Sequence, residues 1–168
     1  MSTPQEGNRY APPAAHVDDV REPADSFELA DRGTRFGAAI IDFLVMMLAI
    51  WVVSLVTPWH PFNATLSFVS FGTNAALGFA LFVLINGFLL VQRGQTVGKS
   101  ITKVRIVLPD GSPVPAGRMI GLRYGVGYVV ASLPFIGGLY GLVDALMIFG
   151  QDRRCLHDRI AGTIVIKA

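Results

Sequence analysis

Charged residues are scarce in this chain. They make up 15% of its 168 residues, against 52% for hydrophobic residues, whereas a soluble domain carries about a quarter charged residues. This shortage excludes an ordinary soluble domain and favours an integral membrane protein of one domain. Cys155 is the only cysteine, so an intrachain disulfide is excluded and no oxidising compartment is implied.

Enzymatic motifs are also missing. The chain contains no G-x-S-x-G, H-E-x-x-H or C-x-x-C pattern, and Gly94 and Gly98 beside Lys99 lack the spacing of a phosphate-binding loop. His157 and Asp158 are adjacent ligand types, but two neighbours do not make a coordination shell. We therefore expect no enzymatic activity, no metal, no cofactor and no nucleic-acid partner.

The first long apolar run predicts a transmembrane helix at about 35–57. A membrane span needs ~20 apolar residues, and this run contains one charge after Arg35, that of Asp42. A carboxylate in hydrocarbon costs about 2.5–3.5 kcal/mol on insertion scales, so Asp42 is expected to have a partner. The run begins too late and is too long for a cleaved signal peptide. A second apolar run predicts another helix at about 66–91.

Residues 1–30 differ from everything that follows. They are rich in Pro, Ala, Asp and Glu and almost without large apolar side chains. Such a segment cannot bury enough surface to offset its chain entropy. We expect a disordered acidic cytoplasmic tail, either without function or recruiting a protein partner, ahead of a membrane domain at 31–168.

The apolar stretch 119–149 allows two interpretations, because Leu-Pro-Phe-Ile-Gly-Gly interrupts it at 133–138. A single kinked helix would give three crossings, and two short helices at about 116–132 and 138–150 would give four. Lys and Arg collect on the cytoplasmic side, and only four crossings put all 14 of them there. We predict four transmembrane helices, the third and fourth forming a short hairpin, with both termini cytoplasmic.

Two short β-strands are expected at the cytoplasmic surface. Apolar residues alternate with Arg105 along 104–108, ahead of a Pro-Asp-Gly turn, and residues 162–167 form a second short apolar segment. An isolated strand is not stable, and the two segments can pair only if four crossings bring them to one side. The predicted fold is an all-α membrane protein with a small cytoplasmic pair of β-strands.

Polar residues within the predicted helices fall at similar depths. At 1.5 Å per residue, Asp42 and Asn86 lie ~10 Å from the cytoplasmic ends of their helices. By the same count Arg123 lies ~7 Å and Asp144 ~10–13 Å deep. The planar guanidinium of Arg123 can bridge two carboxylates, so we expect it to pair with Asp42, Asp144 or both. The predicted intramembrane polar layer consists of Arg35, Asp42, Asn86, Arg123 and Asp144.

These residues resemble the RDD family of bacterial membrane proteins. That family is named for an arginine at the start of its first helix, an aspartate within that helix and a second aspartate of less fixed position. Arg35 and Asp42 match the first two, and either Asp144 or Asp158 matches the third. The resemblance extends to a cytoplasmic motif made of Gly94, Gly98, Lys99, His157, Asp158, Gly162 and Thr163. It implies a location in the bacterial cytoplasmic (inner) membrane, and transport of ions or other ligands is suggested for some members.

Two functions follow from this sequence. In the first, the protein transports or binds a cation or proton through the polar layer, as a homo-oligomer because four helices make a thin wall for a pore. In the alternative, it is a non-transporting accessory or scaffold protein whose polar layer only fixes helix register. The row of Gly117, Gly121 and Gly125 allows close helix contact within the bundle or between copies. In both cases the basic C-terminal segment is expected to contact anionic lipid headgroups.

Overall fold

Two long apolar helices begin the structure. The computed structural model describes residues 27–59 and 67–168, so the predicted tail before residue 27 and the predicted start of the second helix lie outside the described residues. Helix α1 spans Arg32–Val56 and helix α2 spans Phe68–Arg93, close to the predicted bounds. Both are long and apolar enough to cross a membrane.

Helix α1 has the surface expected of a helix in lipid. Its most apolar stretch is not buried inside the protein, and the large side chains of Phe43, Leu48 and Leu55 are exposed. Contiguous apolar surface of this kind marks a protein or membrane contact. Asp31 caps the helix by accepting a hydrogen bond from the Thr34 N–H at 3.2 Å.

A glycine ends α2 and turns the chain back. Gly94 has φ of 64°, a conformation that costs glycine little because it lacks a β-carbon. A β-carbon there would lie 2.5 Å from the carbonyl oxygen of Ile106. The chain continues into a short helix α3, Val97–Ile101, and strand β1, Val104–Val107. Gly94 therefore permits the close return of β1 towards the end of α2.

The second apolar half folds as two helical segments. A π-helical segment, Arg118–Gly125, runs into α4, Val126–Ala131. Helix α5 covers Ile136–Leu146 and ends in one 3₁₀ turn, Met147–Phe149. The break between them falls where the sequence predicted a turn.

Close backbone contact makes α4 and α5 an antiparallel pair. A β-carbon on Gly137 would lie 2.2 Å from the carbonyl oxygen of Ala131, and one on Gly127 would lie 3.5 Å from the Tyr140 hydroxyl. The end of α4 thus contacts the start of α5, and Gly127 near the start of α4 contacts Tyr140 further along α5. In the glycine row, an added β-carbon at Gly117 or Gly121 meets nothing within 4 Å among the described residues.

Aromatic side chains join α2 to this hairpin. The ring centroid of Phe82 lies 4.7 Å from that of Tyr124 and 5.6 Å from that of Tyr128. Phe79 adds a third contact, at 5.2 Å from Tyr128. Tilted aromatic pairs at these separations are favourable, so they hold the π-helical segment, and with it Arg123, against the core.

The predicted pair of strands is confirmed, and the structure shows that the two strands are antiparallel. Strand β1 pairs with β2, Ile164–Lys167, with Val104 opposite Lys167. On the other side of β2, the Ala30 N–H donates to the carbonyl of Val165 at 2.9 Å. The small sheet is continuous with a buried core that includes Val104 and Val165. It gathers the start of α1, the return from α2 and the C-terminal segment at one end of the molecule.

Candidate functional site

Asp158 lies at the centre of a buried ion-pair network. It belongs to the short helix α6, Leu156–Ala161, and has 0% exposure. Its carboxylate forms ion pairs with Arg35 of α1 and Arg123 of the π-helical segment, and it accepts a hydrogen bond from the Cys155 N–H at 3.1 Å. We call Arg35, Arg123 and Asp158 the buried triad.

The two arginines keep Asp158 ionised. Burial raises the pKa of its carboxyl, but the charges of Arg123 and Arg35 outweigh burial and hold that pKa well below its usual range. Arg35 also donates to the carbonyl oxygen of Arg153, and Arg123 donates to the hydroxyl of Thr163. The triad therefore ties α1 and the π-helical segment to the C-terminal segment in one fixed charge state.

His157 connects Asp144 of α5 to the triad. Its Nδ1 lies 2.8 Å from both carboxylate oxygens of Asp144, and its backbone N–H donates to the same carboxylate at 2.9 Å. Its Nε2 lies 3.7 Å from Oδ1 of Asp158. Burial lowers the pKa of His157 and Arg123 lowers it further, against the opposite effect of the two aspartates. A neutral ring that donates from Nδ1 to Asp144 has an unprotonated Nε2.

Asp42 is bound by α3. Its carboxylate accepts hydrogen bonds from the Gly98 N–H at 2.7 Å and the Thr96 hydroxyl at 2.5 Å, and Nζ of Lys99 lies 3.6 Å away. This contact depends on a very close approach, because a β-carbon on Gly98 would lie 2.2 Å from the carbonyl oxygen of Ala38. The motif glycine therefore lets its own N–H, in the first turn of α3, reach a carboxylate on α1.

Asn86 is also bound at α3. Its side-chain oxygen accepts from the Val97 N–H at 3.0 Å, and its amide donates to the Phe82 carbonyl at 3.3 Å. The five predicted polar residues thus contact α3 and α6, two short helices that belong to the loops. Asp42 and Asn86 contact α3, and the α6 group is Arg35, Arg123 and Asp144. The expected pairing of Arg123 with Asp42 or Asp144 is not among the described ion pairs, since its carboxylate partner is Asp158.

The last motif residues shape the end of α6. Gly162 has φ of 60°, and a β-carbon there would lie 2.4 Å from a guanidinium nitrogen of Arg118. The next residue, Thr163, is buried; its N–H donates to the carbonyl of Asp158 at 2.8 Å. Both residues therefore position the triad from the C-terminal side.

A cavity of about 260 Å³ opens between α4 and α5. Arg123, Tyr140, Asp144 and His157 are among the residues that line it. Nε and Nη2 of Arg123 and the hydroxyl of Tyr140 are buried without a hydrogen-bond partner in the described part of the chain. An unsatisfied buried polar group costs about 1–3 kcal/mol, so the cavity favours a small polar occupant that supplies the missing contacts.

Cys155 completes a cluster that sequence reasoning missed. Donor atoms of Asp144, Cys155 and His157 all lie within 4.8 Å of one another. Burial raises the pKa of the Cys155 thiol to about 11, so it is protonated at neutral pH, and Nη2 of Arg35 donates to its sulfur at 3.6 Å. Adjacent His157 and Asp158 were the ligand types visible in the sequence, and no metal-site spacing pattern includes a single cysteine two residues before a histidine.

Comparison with known proteins agrees with this arrangement. The model of the RDD family matches residues 29–162, a range that includes α3 and the buried triad. "Uncharacterized protein YckC" of Bacillus subtilis is 34% identical over 139 residues, which are 80% of this chain and 82% of that protein. No solved structure matches. Together with two helices long enough to span a bilayer, these matches indicate a membrane protein, and the chain belongs to the RDD family.

Proposed function

We propose that this protein is a multi-pass bacterial inner-membrane protein that binds or moves a cation or a proton at Asp144 and His157. The observation that carries the proposal is the position of His157 between the carboxylates of Asp144 and Asp158. Imidazole accepts and releases a proton near neutral pH. Because Asp158 is held in one charge state by two arginines, the exchangeable position is the Asp144–His157 pair.

We propose that the chain crosses the membrane four times. Nε of Arg118, before α4, donates to the Ala161 carbonyl at 2.6 Å. Arg32, at the start of α1, donates to the Gly150 carbonyl at 3.2 Å. The segment between Arg118 and Gly150 therefore leaves and returns to one end of the molecule, as an out-and-back pair of crossings does.

The hairpin is short for a full span. Residues 118–131 would rise ~21 Å at the 1.5 Å per residue of an α-helix, and the π-helical part rises less, so the segment is shorter than the ~30 Å of a hydrocarbon core. We therefore propose that its turn lies below the outer surface. The proposal also keeps both termini in the cytoplasm, because all 14 Lys and Arg residues then lie on that side.

Self-association fits this function, because four helices enclose little space for a path. The open space beside Gly117 and Gly121 allows a second helix to approach closely there. We propose a homo-oligomer in contact with anionic headgroups through its basic residues, and a protein partner for the acidic tail. We propose no enzymatic activity for this protein.

The test measures proton movement in proteoliposomes that contain an internal pH indicator. Na⁺, K⁺, Mg²⁺ or Zn²⁺ is added outside in separate trials, and the wild type should change the internal pH in response to at least one. Asp144→Asn should abolish the response, because it removes the carboxylate that His157 contacts. Asp152→Asn is the matched control, since Asp152 is exposed and pairs with Arg159 at 2.9 Å. Equal responses in all three proteins, or none in the wild type, contradict transport.

A scaffold role is the second candidate, and the contacts of Asp42 favour it. That carboxylate is engaged by Gly98, Thr96 and Lys99, as in a structural latch between α1 and α3. Under this function the wild type gives no proton response, and Asp42→Asn lowers the yield of folded protein. Loss of the proton response at normal yield would favour transport. A pull-down that finds no partner dependent on residues 1–30 counts against a recruiting role for the tail.

A further inference from the structure

Three donor atoms of different chemical type converge at the junction of α5 and α6. A carboxylate oxygen of Asp144, the sulfur of Cys155 and a ring nitrogen of His157 lie within 4.8 Å of one another. We propose that these three side chains bind a transition-metal dication such as Zn²⁺. This inference rests on the proposed function, because it names the class of cation that the Asp144–His157 pair holds.

The geometry needs only a small adjustment. Zinc–nitrogen, zinc–oxygen and zinc–sulfur bonds of about 2.0–2.3 Å put tetrahedral donors about 3.5 Å apart. The donor atoms lie at most 4.8 Å apart. Side-chain rotation that brings them about 1 Å closer therefore gives the separation that zinc requires. Asp144 is held in place by the backbone N–H of His157 at 2.9 Å. Cys155 is fixed because its N–H binds Asp158.

The donor set discriminates between cations. Imidazole and thiolate suit zinc and neighbouring transition metals, whereas Mg²⁺ and Ca²⁺ prefer shells made of oxygen atoms. A site with one carboxylate, one thiolate and one imidazole leaves a fourth position for water, as in open zinc sites. The cluster is therefore built for a softer ion than Na⁺, K⁺ or Mg²⁺.

The surroundings supply the outer contacts that such a site needs. Nη2 of Arg35 already donates to the Cys155 sulfur at 3.6 Å and would stabilise it as a thiolate. The hydroxyl of Tyr140 is buried without a partner among the described residues, beside Asp144 in the same cavity, where it can bind a metal-bound water. Outer contacts of this kind orient ligands and raise metal affinity.

The charge balance also permits a dication. Before binding, the positive charges of Arg35 and Arg123 are matched by the carboxylates of Asp158 and Asp144. On binding, the Cys155 thiol gives its proton to solvent and its sulfur forms a coordination bond, without electron transfer. The added charge is then one unit rather than two, and the fixed triad beside the site remains intact.

The test titrates Co²⁺ into the purified full-length protein in detergent, with an affinity tag that lacks His and Cys. Co²⁺ bound to a thiolate gives a charge-transfer band in the near ultraviolet, and Cys155 is the only cysteine that can produce it. We expect the band to saturate at one Co²⁺ per chain and to disappear when one equivalent of Zn²⁺ is added. This measurement needs only the wild-type protein, so a variant that fails to fold does not prevent the test.

Matched variants assign the ligands. Cys155→Ser should remove the band, and His157→Ala should weaken Zn²⁺ binding about tenfold or more. Asp152→Asn, which changes an exposed carboxylate near the same helix, should leave binding unchanged. Absence of a Zn²⁺-sensitive band in the wild type overturns the inference, as does an unchanged affinity in His157→Ala. Proton movement with Na⁺ or K⁺ but no Co²⁺ band contradicts the metal site alone, and a band without proton movement contradicts transport alone.

Discussion

Arg35 and Asp158 form a buried ion pair across 123 positions of the sequence. The pair joins the first turns of α1 to α6, and Arg123 reaches the same carboxylate from the π-helical segment. Three elements that are distant in sequence therefore meet at one side chain. Their packing at the end of the molecule that carries the sheet depends on that carboxylate.

Replacing Asp158 should severely destabilise the protein. Asp158→Ala leaves two buried guanidinium groups without a carboxylate, and removing one partner of a buried ion pair costs about 3–5 kcal/mol. The measurement is thermal unfolding in detergent, together with the fraction of monodisperse protein in size-exclusion chromatography. Asp152→Asn, which breaks the exposed pair with Arg159, should cost at most about 1 kcal/mol. Similar losses in both variants would contradict the role of the triad.

Gly98→Ala should loosen the contact between α1 and α3. Its β-carbon would meet the backbone carbonyl of Ala38 at 2.2 Å, so α3 must shift, at a cost of about 1–3 kcal/mol. Gly37→Ala in α1 is the control, because a β-carbon there meets nothing within 4 Å among the described residues. That change should be neutral or stabilise α1 by up to about 1 kcal/mol. Equal thermal midpoints for the two variants would disprove the close approach.

Asp42→Ala should release the first turn of α3. The variant removes the acceptor of the Gly98 N–H and the Thr96 hydroxyl, so amide hydrogen exchange in 96–101 should become faster. Asp42→Asn keeps one side-chain oxygen for the Gly98 N–H and should show a smaller effect. Asp110→Asn serves as the control. It changes an exposed carboxylate that accepts a hydrogen bond from the Ser112 N–H. Unchanged exchange of α3 in Asp42→Ala would show that the carboxylate does not hold it.

The four-crossing topology predicts which side each segment faces. Phe135 is 96% exposed at the tip of the hairpin. In a Cys155→Ser background, Thr57→Cys, at the end of α1 away from the sheet, should react with an impermeant maleimide added to intact spheroplasts. Phe135→Cys, in a turn below the outer surface, should react much less until the membrane is dissolved. Glu28→Cys, in an exposed position beside the sheet, should react only after the membrane is opened. A reporter fused after Ala168 should report a cytoplasmic C-terminus, and a periplasmic signal would favour three crossings.

Much of the fold follows from patterns that are local in the sequence. Uninterrupted apolar runs predicted α1 and α2, Pro134 with the two following glycines predicted the break of the hairpin, and alternation predicted β1. The pairing of β1 with β2 followed from one further argument, that a lone strand is unstable. Apart from that pairing, these features depend on residues close in sequence, so period and composition were sufficient to find them.

The partners in the candidate site were harder to predict. Counting residues along each helix gives depth, but it gives neither the direction in which a side chain points nor the approach of short helices from the loops. Arg123 was therefore expected to meet Asp42 or Asp144, whereas its partner is Asp158. The choice between Asp144 and Asp158 as the second aspartate stayed open for the same reason. The structure puts both in one network, on the two sides of His157. One feature of the sequence could have indicated the partner of the two arginines: Asp158 is the single carboxylate of Leu156-His-Asp-Arg159, within a strongly basic segment.

The order of synthesis gives the buried triad a further consequence. Both of its arginines leave the ribosome before the aspartate does, and β2 follows later still. A nascent chain therefore carries both guanidinium groups without their counter-charge until Asp158 has been synthesised. The contact that joins α1 to the π-helical segment through this carboxylate therefore forms only after the intervening chain has been made.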